Sequence, residues 1–564
     1  MPIYKTIECD VLVIGGGVGG LGAAIKAKDY TEKVVLVDKA IVGRGGSSPF
    51  VNYMWLTKFP EEDSEVYMRE IIEKGEFLCD QEWVKIYLDM VHPLSMELEQ
   101  WGRQYGEQVF EKDDKGNYLH RQLVGNINTW ANVYNPIPAL DTLKKEAKKR
   151  GVNFVERTIV TDLAICDDSV VGVIGFNYRT GDVYLFKAKA VVTAAGMHYF
   201  GKRGVSSSNN GELITAAYEA GAVLYKLEMT HSVPIPRDYA SEELMHSVLS
   251  GGGRYVNAKG EEFIDEYLTE GVPARLQDLS IAFANEVKQS GGSIYADVSQ
   301  ASPEDRQFHK TILSSNDFVS AKVPWIPNLA GGGGVRINTS CESSLPGLYA
   351  VGDNSGRPPV GTYNVNGIMI SYAYVSGCIA GENAARYANG IQTTIWDKVG
   401  LDRQVNRRIK ELTARMDRSE GLRPHEIVYT IQKIISPWPV SLIRSEKRLL
   451  MALSEIQRVR QEKTSCVKAK DLHELVRAHE ATSLVILAEI TLRSALFRQE
   501  SRGFHFREDY PYTDNHNWLK NVMVKLGNGS PRVWAEDVPT PYIQPDETVA
   551  VPPGVKKKDY LNDH

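Results

Sequence analysis

The stretch CDVLVIGGGVGGLGAAIKAKDYTEKVVLVDK, residues 9–39, decides the fold. Residues 11–14 are a short, nearly continuous apolar run, the pattern of a parallel strand buried on both faces. The run leads into GGGVGG, residues 15–20, and apolar and small residues then recur at helical spacing through Ile25. A second apolar strand, residues 34–37, ends at Asp38 and Lys39. Gly15 permits a tight turn, Gly17 lets the backbone approach a pyrophosphate, and Gly20 lets the helix pack close to the strand. Phosphates are favoured at that helix N-terminus, where N–H groups and the dipole attract negative charge. Asp38 accepts hydrogen bonds from a ribose hydroxyl, so an unphosphorylated adenosine ribose fits and NADP is disfavoured. Lys39 is counted with the binding residues. Strand, helix, second strand and acid together set aside an ordinary glycine-rich turn, but by themselves they leave FAD and NAD both open.

Further along, Gly45, Gly46 and Ser47, with Ser48, form a small polar stretch able to wrap a pyrophosphate and run beneath a flavin ring. Residues 60–106 are helical in pattern, and 113–117 read as a hairpin turn. A helix is expected over 138–150 and a strand over 152–155. Residues 158–162, 170–177 and 183–188 alternate as a small antiparallel sheet. Residues 190–195 read as a separate apolar strand ending at Ala195 and Gly196, both assigned to the cofactor. A helix rich in small residues is expected over 210–221.

Composition shifts at 226–344, where His, Pro, Arg and glycine clusters gather, as expected of an inserted, substrate-facing domain. Residues 348–353 return to strand, glycine and acid at Asp353. A helix starts near Asn366, Gly367 and Ile368. Residues 403–498 are strongly helical, and 471–497 suffice for one long helix. From Gly503 the chain is polar, with an extended tail expected over 539–554. The expected fold is α/β: a Rossmann-like FAD-binding domain (residues 1–225 with 345–395), an inserted α+β capping domain (226–344) and a C-terminal helical domain (400–505). Residues 506–564 form an extension.

With 564 residues, 43% hydrophobic and 24% charged, the chain can build several cores. Its 71 acids against 65 bases give a net charge of −6, which speaks against nucleic acid or a basic membrane surface. The six cysteines are scattered, with no CxxC pair, against a disulfide scaffold or an iron–sulfur cluster on this chain. No metal site is expected. A reducing, cytoplasmic setting is the expectation, since no leader pattern opens the chain and no apolar run approaches the roughly 20 residues of a membrane span.

These motifs resemble the flavoprotein subunit family of succinate dehydrogenase and fumarate reductase, which includes L-aspartate oxidase and adenylylsulfate reductase. The likeness covers nearly the whole chain. It rests on the opening fingerprint, FKAKAVV (186–192), LPGLYAVGD (345–353), DLHEL (471–475) and ESRGFH (500–505), with DYP (509–511) and NW (517–518) beyond. The resemblance implies FAD, a cap closing over the flavin, Asp353 on the ribityl chain, and the helix near Asn366 aimed at the flavin N1/O2 edge. The adenylylsulfate reductase branch looks nearest, through the lysines at 187–189, PWP (437–439) and VPTPYI (538–543). Members of that branch pair with a small ferredoxin-like iron–sulfur subunit, so such a partner is implied, in a homo- or hetero-oligomer of unspecified size.

Four departures qualify the likeness. Covalent relatives carry a histidine where this chain has GRGGS (43–47), so its FAD is expected to be non-covalent. Val233-Pro234-Ile235 stands in place of a His-Pro-Thr tripeptide, with Glu228 retained. LSGGG (249–253) loses the arginine that faces substrate, and the proton-delivering arginine has only Arg275 nearby. LAGGGG (329–334) replaces His-x-x-Gly-Gly, and NVNG (364–367) replaces a carboxylate-gripping arginine. A C4 dicarboxylate needs those cations to be clamped and polarised. Succinate and fumarate are therefore disfavoured, and adenylylsulfate is weakened too.

The remaining candidates are Arg237, to hold an anionic group beside the flavin; His231, as acid or base; Arg254, in a turn after three glycines; and Tyr363, as proton donor. Against these stand a guanidinium paired with Asp238 and a structural histidine. Arg502 and His505 are expected to lock the helical domain to the cap, and Glu228 to fix local geometry. The expected function is two-electron transfer between an organic small-molecule substrate and FAD, with electrons leaving through an iron–sulfur partner. Sulfur chemistry at flavin N5, or a flavin subunit without substrate, are the alternatives.

Overall fold

Strand β1, Lys5–Ile14, runs parallel to β2, Val34–Val37, with helix α1, Val18–Ala27, between them in sequence. Val11, Leu12, Val13 and the β2 residues are buried, which explains apolar runs without alternation. The computed structural model describes residues 4–50, 54–121, 126–200, 210–236, 248–249, 253–267, 276–299, 302–303, 325–362, 365–391, 398–546 and 549–550. Its main sheet has the order Asn153–Val155, β2, β1, Val183–Thr193, Ser169–Asn177, Thr158–Cys166, with Leu348–Ala350 as a seventh strand on Val183–Thr193.

The separate strands expected over 183–188 and 190–195 are one strand. Val183–Thr193 pairs with β1 from Lys5 opposite Tyr184 to Ile14 opposite Thr193. Its other edge is shared: residues 183–187 take the antiparallel Ser169–Asn177, and residues 191–193 take Leu348–Ala350 in parallel. Lys187 and Lys189 do not break it, because both face one side and pair with Glu8 at 3.3 Å and Asp10 at 2.9 Å on β1. The expected small antiparallel sheet is thus a wing of the main one.

Helix Ile368–Gly390 packs on α1 through small residues. A Cβ on Gly377 would lie 2.2 Å from the Gly19 carbonyl oxygen, and one on Gly381 2.1 Å from that of Ala23. Side chains there would separate the two helices whose N-termini flank the cofactor cavity.

In the inserted region, His231–Pro236 pairs antiparallel with Trp325–Ala330, and Arg254–Val256 with Tyr295–Asp297, beside helix Leu276–Ser290. Tyr255 meets Phe283 and Trp325 edge-on, with ring centroids 4.7 and 5.1 Å apart. The same core takes in Trp438, Leu442, Phe504 and Phe506, so the inserted and helical regions share one apolar cluster. The helical region contains Lys398–Met416, Pro424–Ile435, Glu446–Arg458 and the 26-residue Leu472–Phe497. Asp471 caps the last, accepting from the Glu474 N–H at 2.8 Å. No described helix is long and apolar enough to cross a membrane.

The C-terminal extension is more integrated than its polarity suggests. Lys520–Leu526 and Pro531–Asp537 form an antiparallel ribbon that joins Leu224–Tyr225 and Gly334–Val335, the two ends of the inserted region, in one sheet. Farther on, the backbone of Tyr542 and Ile543 bonds to the Gln81 side chain at the start of helix Gln81–Tyr105.

A buried ionic network fastens these parts. Arg498 donates to Glu228 at 2.9 Å and to Glu500 at 2.6 Å; Arg502 donates to both Glu500 oxygens and to the Glu76 carbonyl at 2.7 Å. Arg444 donates to the Glu228 carbonyl at 2.8 Å and meets the His505 ring. Arg502 thus ties its segment to the Glu76 carbonyl of the first region and not to the inserted region expected, whereas His505 meets Arg444, which reaches Glu228.

Candidate functional site

An elongated cavity opens where β1, β2 and Val183–Thr193 reach their C-terminal ends. Asp38, Lys39 and Thr158, Ile159 and Val160 line one end; Gly15, Gly16 and Gly17 the middle; Gly45, Gly46, Ser47 and Ser48 a flank. Ala195, Gly196, Gly352, Asp353, Met369 and Ile370 line the other end.

Gly15 has φ +109°, and a Cβ there would lie 2.4 Å from the Ala194 carbonyl oxygen. A Cβ on Gly20 would fall 1.8 Å from the Gly15 carbonyl oxygen, so strand, turn and helix close as the fingerprint requires. Ser48 Oγ accepts from the Val18 N–H at 3.2 Å, which sets its hydroxyl at the helix N-terminus, within the anion-favouring region. Asp38 accepts from the Gly16 and Ala40 amides, which orients its carboxylate at the cavity. Burial pushes its carboxyl above the ordinary carboxylate range, while those amides and Lys39 pull it back. This bare-backbone cradle with a fixed acid fits a dinucleotide diphosphate and its ribose.

Lys39 reaches the cavity wall, but its ammonium pairs with Glu212 and with Glu480, the latter at 2.8 Å. It therefore ties the end of β2 to the long C-terminal helix. At the far end, Gly367, with φ +92°, caps helix Ile368–Gly390, and Leu56 N–H donates to its carbonyl at 3.0 Å. Asn126 accepts from the Asn366 N–H at 3.0 Å and donates to its carbonyl at 3.3 Å. Asn126 was not among the expected residues; its lone position in sequence gives no signal. Burial raises the Asp353 carboxyl above the carboxylate range, and Arg357 opposes that shift.

The substrate-side candidates fare unevenly. Arg254 is not brought to the cavity: it pairs with Asp297 at 2.9 Å and with Glu262 at 2.5 Å on a partly exposed strand. Three preceding glycines marked a turn, but the cross-strand acids took its charge. His231 stacks on Phe504, with centroids 4.8 Å apart, and burial with the nearby Arg357 charge pushes it down to about 3. Both effects favour the neutral imidazole at neutral pH, which does not suit a general acid. Glu228 accepts from Arg498, and burial pushes its carboxyl up. Arg237, Arg275 and Tyr363 lie outside the described residues.

Sequence reasoning missed His198 and Arg357. His198 is fully buried against Phe200, and Arg357 is only 5% exposed. Each is a single residue in an unremarkable context, and only long-range packing brings the two toward one place.

The FAD binding domain family matches residues 10–370, and the fumarate reductase flavoprotein C-terminal family matches residues 431–554. The chain is 26% identical to the 8-methylmenaquinol:fumarate reductase flavoprotein subunit of Wolinella succinogenes, over 94% of this chain and 91% of that protein. Among solved structures it superposes on Sdh1 of Mycobacterium smegmatis in complex with UQ1 with a TM-score of 0.84 at 22% identity, over 96% of each chain. Adenylylsulfate reductase from Archaeoglobus fulgidus gives a TM-score of 0.74 at 22% identity, over 96% of this chain and 97% of that one. These two structural likenesses speak for the fold.

Proposed function

This chain belongs to the FAD-binding flavoprotein family of succinate dehydrogenases and fumarate reductases, and from that premise we propose a substrate and an electron route for it. It is an FAD-dependent oxidoreductase. It acts on an organic small molecule other than succinate or fumarate, and a small ferredoxin-like iron–sulfur protein takes up or supplies the electrons.

One observation carries the substrate reading. Residues 332–334, in the stretch where dicarboxylate relatives hold a histidine-bearing segment, are backbone pressed on backbone. A Cβ on Gly332 would lie 1.9 Å from the Met229 carbonyl oxygen, one on Gly333 2.1 Å from that of Tyr225, and one on Gly334 2.6 Å from that of Asn354. No side chain fits at these three positions, and Arg254 is spent on two acids. A C4 dicarboxylate would find few of the cations it needs here.

FAD, when bound, supplies the two-electron chemistry. Gly15, Gly17 and Gly20 would hold its diphosphate, Asp38 a ribose, and Asp353 the ribityl hydroxyls. The N-terminus of Ile368–Gly390 adds a positive end of a helix dipole at the ring side. No histidine stands at 43–47 for attachment, which supports non-covalent binding. Arg237 and Tyr363 remain candidates for gripping substrate and moving its proton. The designation of the Wolinella succinogenes relative as the flavoprotein subunit of its reductase supports a cluster carried by a partner.

Titrating the oxidised holoprotein with sulfite, with and without AMP, and then with organic acids tests this reading through the flavin spectrum. The expected result is reduction or perturbation by an organic acid without an AMP-dependent sulfite adduct. An adduct strengthened by AMP would establish sulfur chemistry instead. A flavin reduced by ferredoxin but by no small molecule would leave an electron-transfer subunit.

A further inference from the structure

The geometry points to an oxyanion pocket at the ring end of the cofactor cavity, in which Arg357 anchors and His198 orients a single anionic group of the substrate. This rests on the FAD reading above and adds a substrate class to it: a monocarboxylate rather than a dicarboxylate.

Arg357 sits in Gly356-Arg357-Pro358-Pro359 with φ +56°, a left-handed conformation that a non-glycine residue keeps only when its surroundings impose it. The Val360 N–H donates to its carbonyl at 2.9 Å and fixes the turn. Its side chain is 5% exposed, yet it makes no hydrogen bond or ion pair with another side chain or backbone group among the described residues. The Asp353 carboxyl acts on it through space without bonding to it, so the guanidinium fork is left open, and a carboxylate matches it.

His198 has 0% exposure, and neither ring nitrogen has a hydrogen-bond partner. Buried polar atoms are nearly always satisfied, so two orphaned nitrogens on one ring point to a missing ligand or water. The ring lies over Gly331: a Cβ there would come within 2.0 Å of Nε2. The glycine run therefore gives up a side chain at 331 to make room for an imidazole supplied by another segment.

The same run seats the arginine. A Cβ on Gly334 would lie 2.6 Å from the Gly356 nitrogen, so the turn carrying Arg357 rests on that glycine. Ala330, adjacent to Gly331, pairs with His231 on one side and bridges Tyr199 on the other. Asn354 donates to the Gly196 carbonyl at 3.0 Å, joining the two turns that line the cofactor cavity. His198 follows Gly196 and Arg357 follows Asp353, so both stand just beyond the cavity's ring end.

The charge count sets the class. Burial and the Arg357 charge keep His198 and His231 neutral, each pushed down to about 3. The nearby Lys226 is committed to the Val360 carbonyl at 2.9 Å. Among the described residues, Arg357 is a positive charge with no hydrogen-bonded counter-ion, opposed only through space by the Asp353 carboxyl; beside neutral imidazoles it matches one anionic group, and a second carboxylate would need a further cation.

Calorimetry and flavin difference spectra on the FAD-loaded protein test this. The probes are acetate and crotonate, malonate and fumarate, and inorganic phosphate, after the FAD-to-protein ratio is measured. Crotonate should bind saturably and perturb the flavin band, with malonate and fumarate weaker. Arg357→Met should weaken crotonate by about 50-fold or more, and Arg357→Lys by less. Gly331→Ala, which displaces the His198 ring and leaves Arg357 in place, should weaken it by about tenfold at unchanged FAD content. Crotonate binding within about threefold of wild type in both Arg357→Met and Gly331→Ala would overturn the assignment. So would tighter binding of the dicarboxylates or of phosphate, or silence toward every probe with FAD in place. A protein without FAD fails at the first measurement, which is failure of the cofactor reading and is seen separately.

Discussion

Replacing Gly20 by valine is expected to yield protein that retains essentially no FAD. The Cβ alone would lie 1.8 Å from the Gly15 carbonyl oxygen, and the nearest atoms are backbone, which cannot swing aside. Helix α1 would have to move off β1, carrying with it the N–H groups that face the diphosphate. A weakening of FAD binding of about 100-fold or more follows, because that contact is a principal anchor of the dinucleotide. The control is Gly390→Ala, at a helix end where an added Cβ meets nothing within 4 Å. Flavin fluorescence on titrating apoprotein with FAD reads both. Wild-type affinity in Gly20→Val would mean that the fingerprint does not hold the cofactor.

The second large effect is structural. Glu500→Ala is expected to destabilise the chain by about 3–5 kcal/mol, the usual cost of breaking a buried ion pair from one side. Glu500 is 1% exposed and accepts from Arg498, from Arg502 twice and from the Asp514 N–H at 2.9 Å. Its loss leaves two buried guanidinium groups short of a counter-charge. It also loosens Arg502 from the Glu76 carbonyl, and Arg498 from the Trp518 carbonyl at 3.1 Å. Glu500→Gln keeps the volume and should cost less. Denaturant unfolding reads the difference; a change below about 1 kcal/mol would place the network among dispensable surface-like pairs.

What the sequence revealed follows from the range of the interactions involved. The strand, turn and helix at 9–39 are local: Gly20 answers to the Gly15 carbonyl, and Gly15 to that of Ala194 at the end of the next strand. Asp471 before a long apolar-periodic run is likewise a local cap, and the helix begins where it says. The ribbon Lys520–Leu526 with Pro531–Asp537 escaped notice because its partner, Leu224–Tyr225, lies about 300 residues away in sequence. The division of 183–195 into two strands followed the change from alternating to continuous apolar residues, which in the structure marks a change of neighbours along one strand. Arg254 looked free because a turn is visible in sequence and a cross-strand Asp297 is not. His198 and Arg357 were hidden for the same reason: neither lies in a recognisable motif, and it is the packing of the glycine run at 331–334 that seats both.

The central claim is that this chain holds FAD by contacts alone in the cradle opening at Gly15. Acid precipitation of purified protein, with the flavin in supernatant and pellet quantified by absorbance and fluorescence, tests it most directly. The account predicts about one FAD per chain in the supernatant and a colourless pellet. A protein with no flavin that also takes none up, or a pellet that keeps its yellow colour, would contradict it.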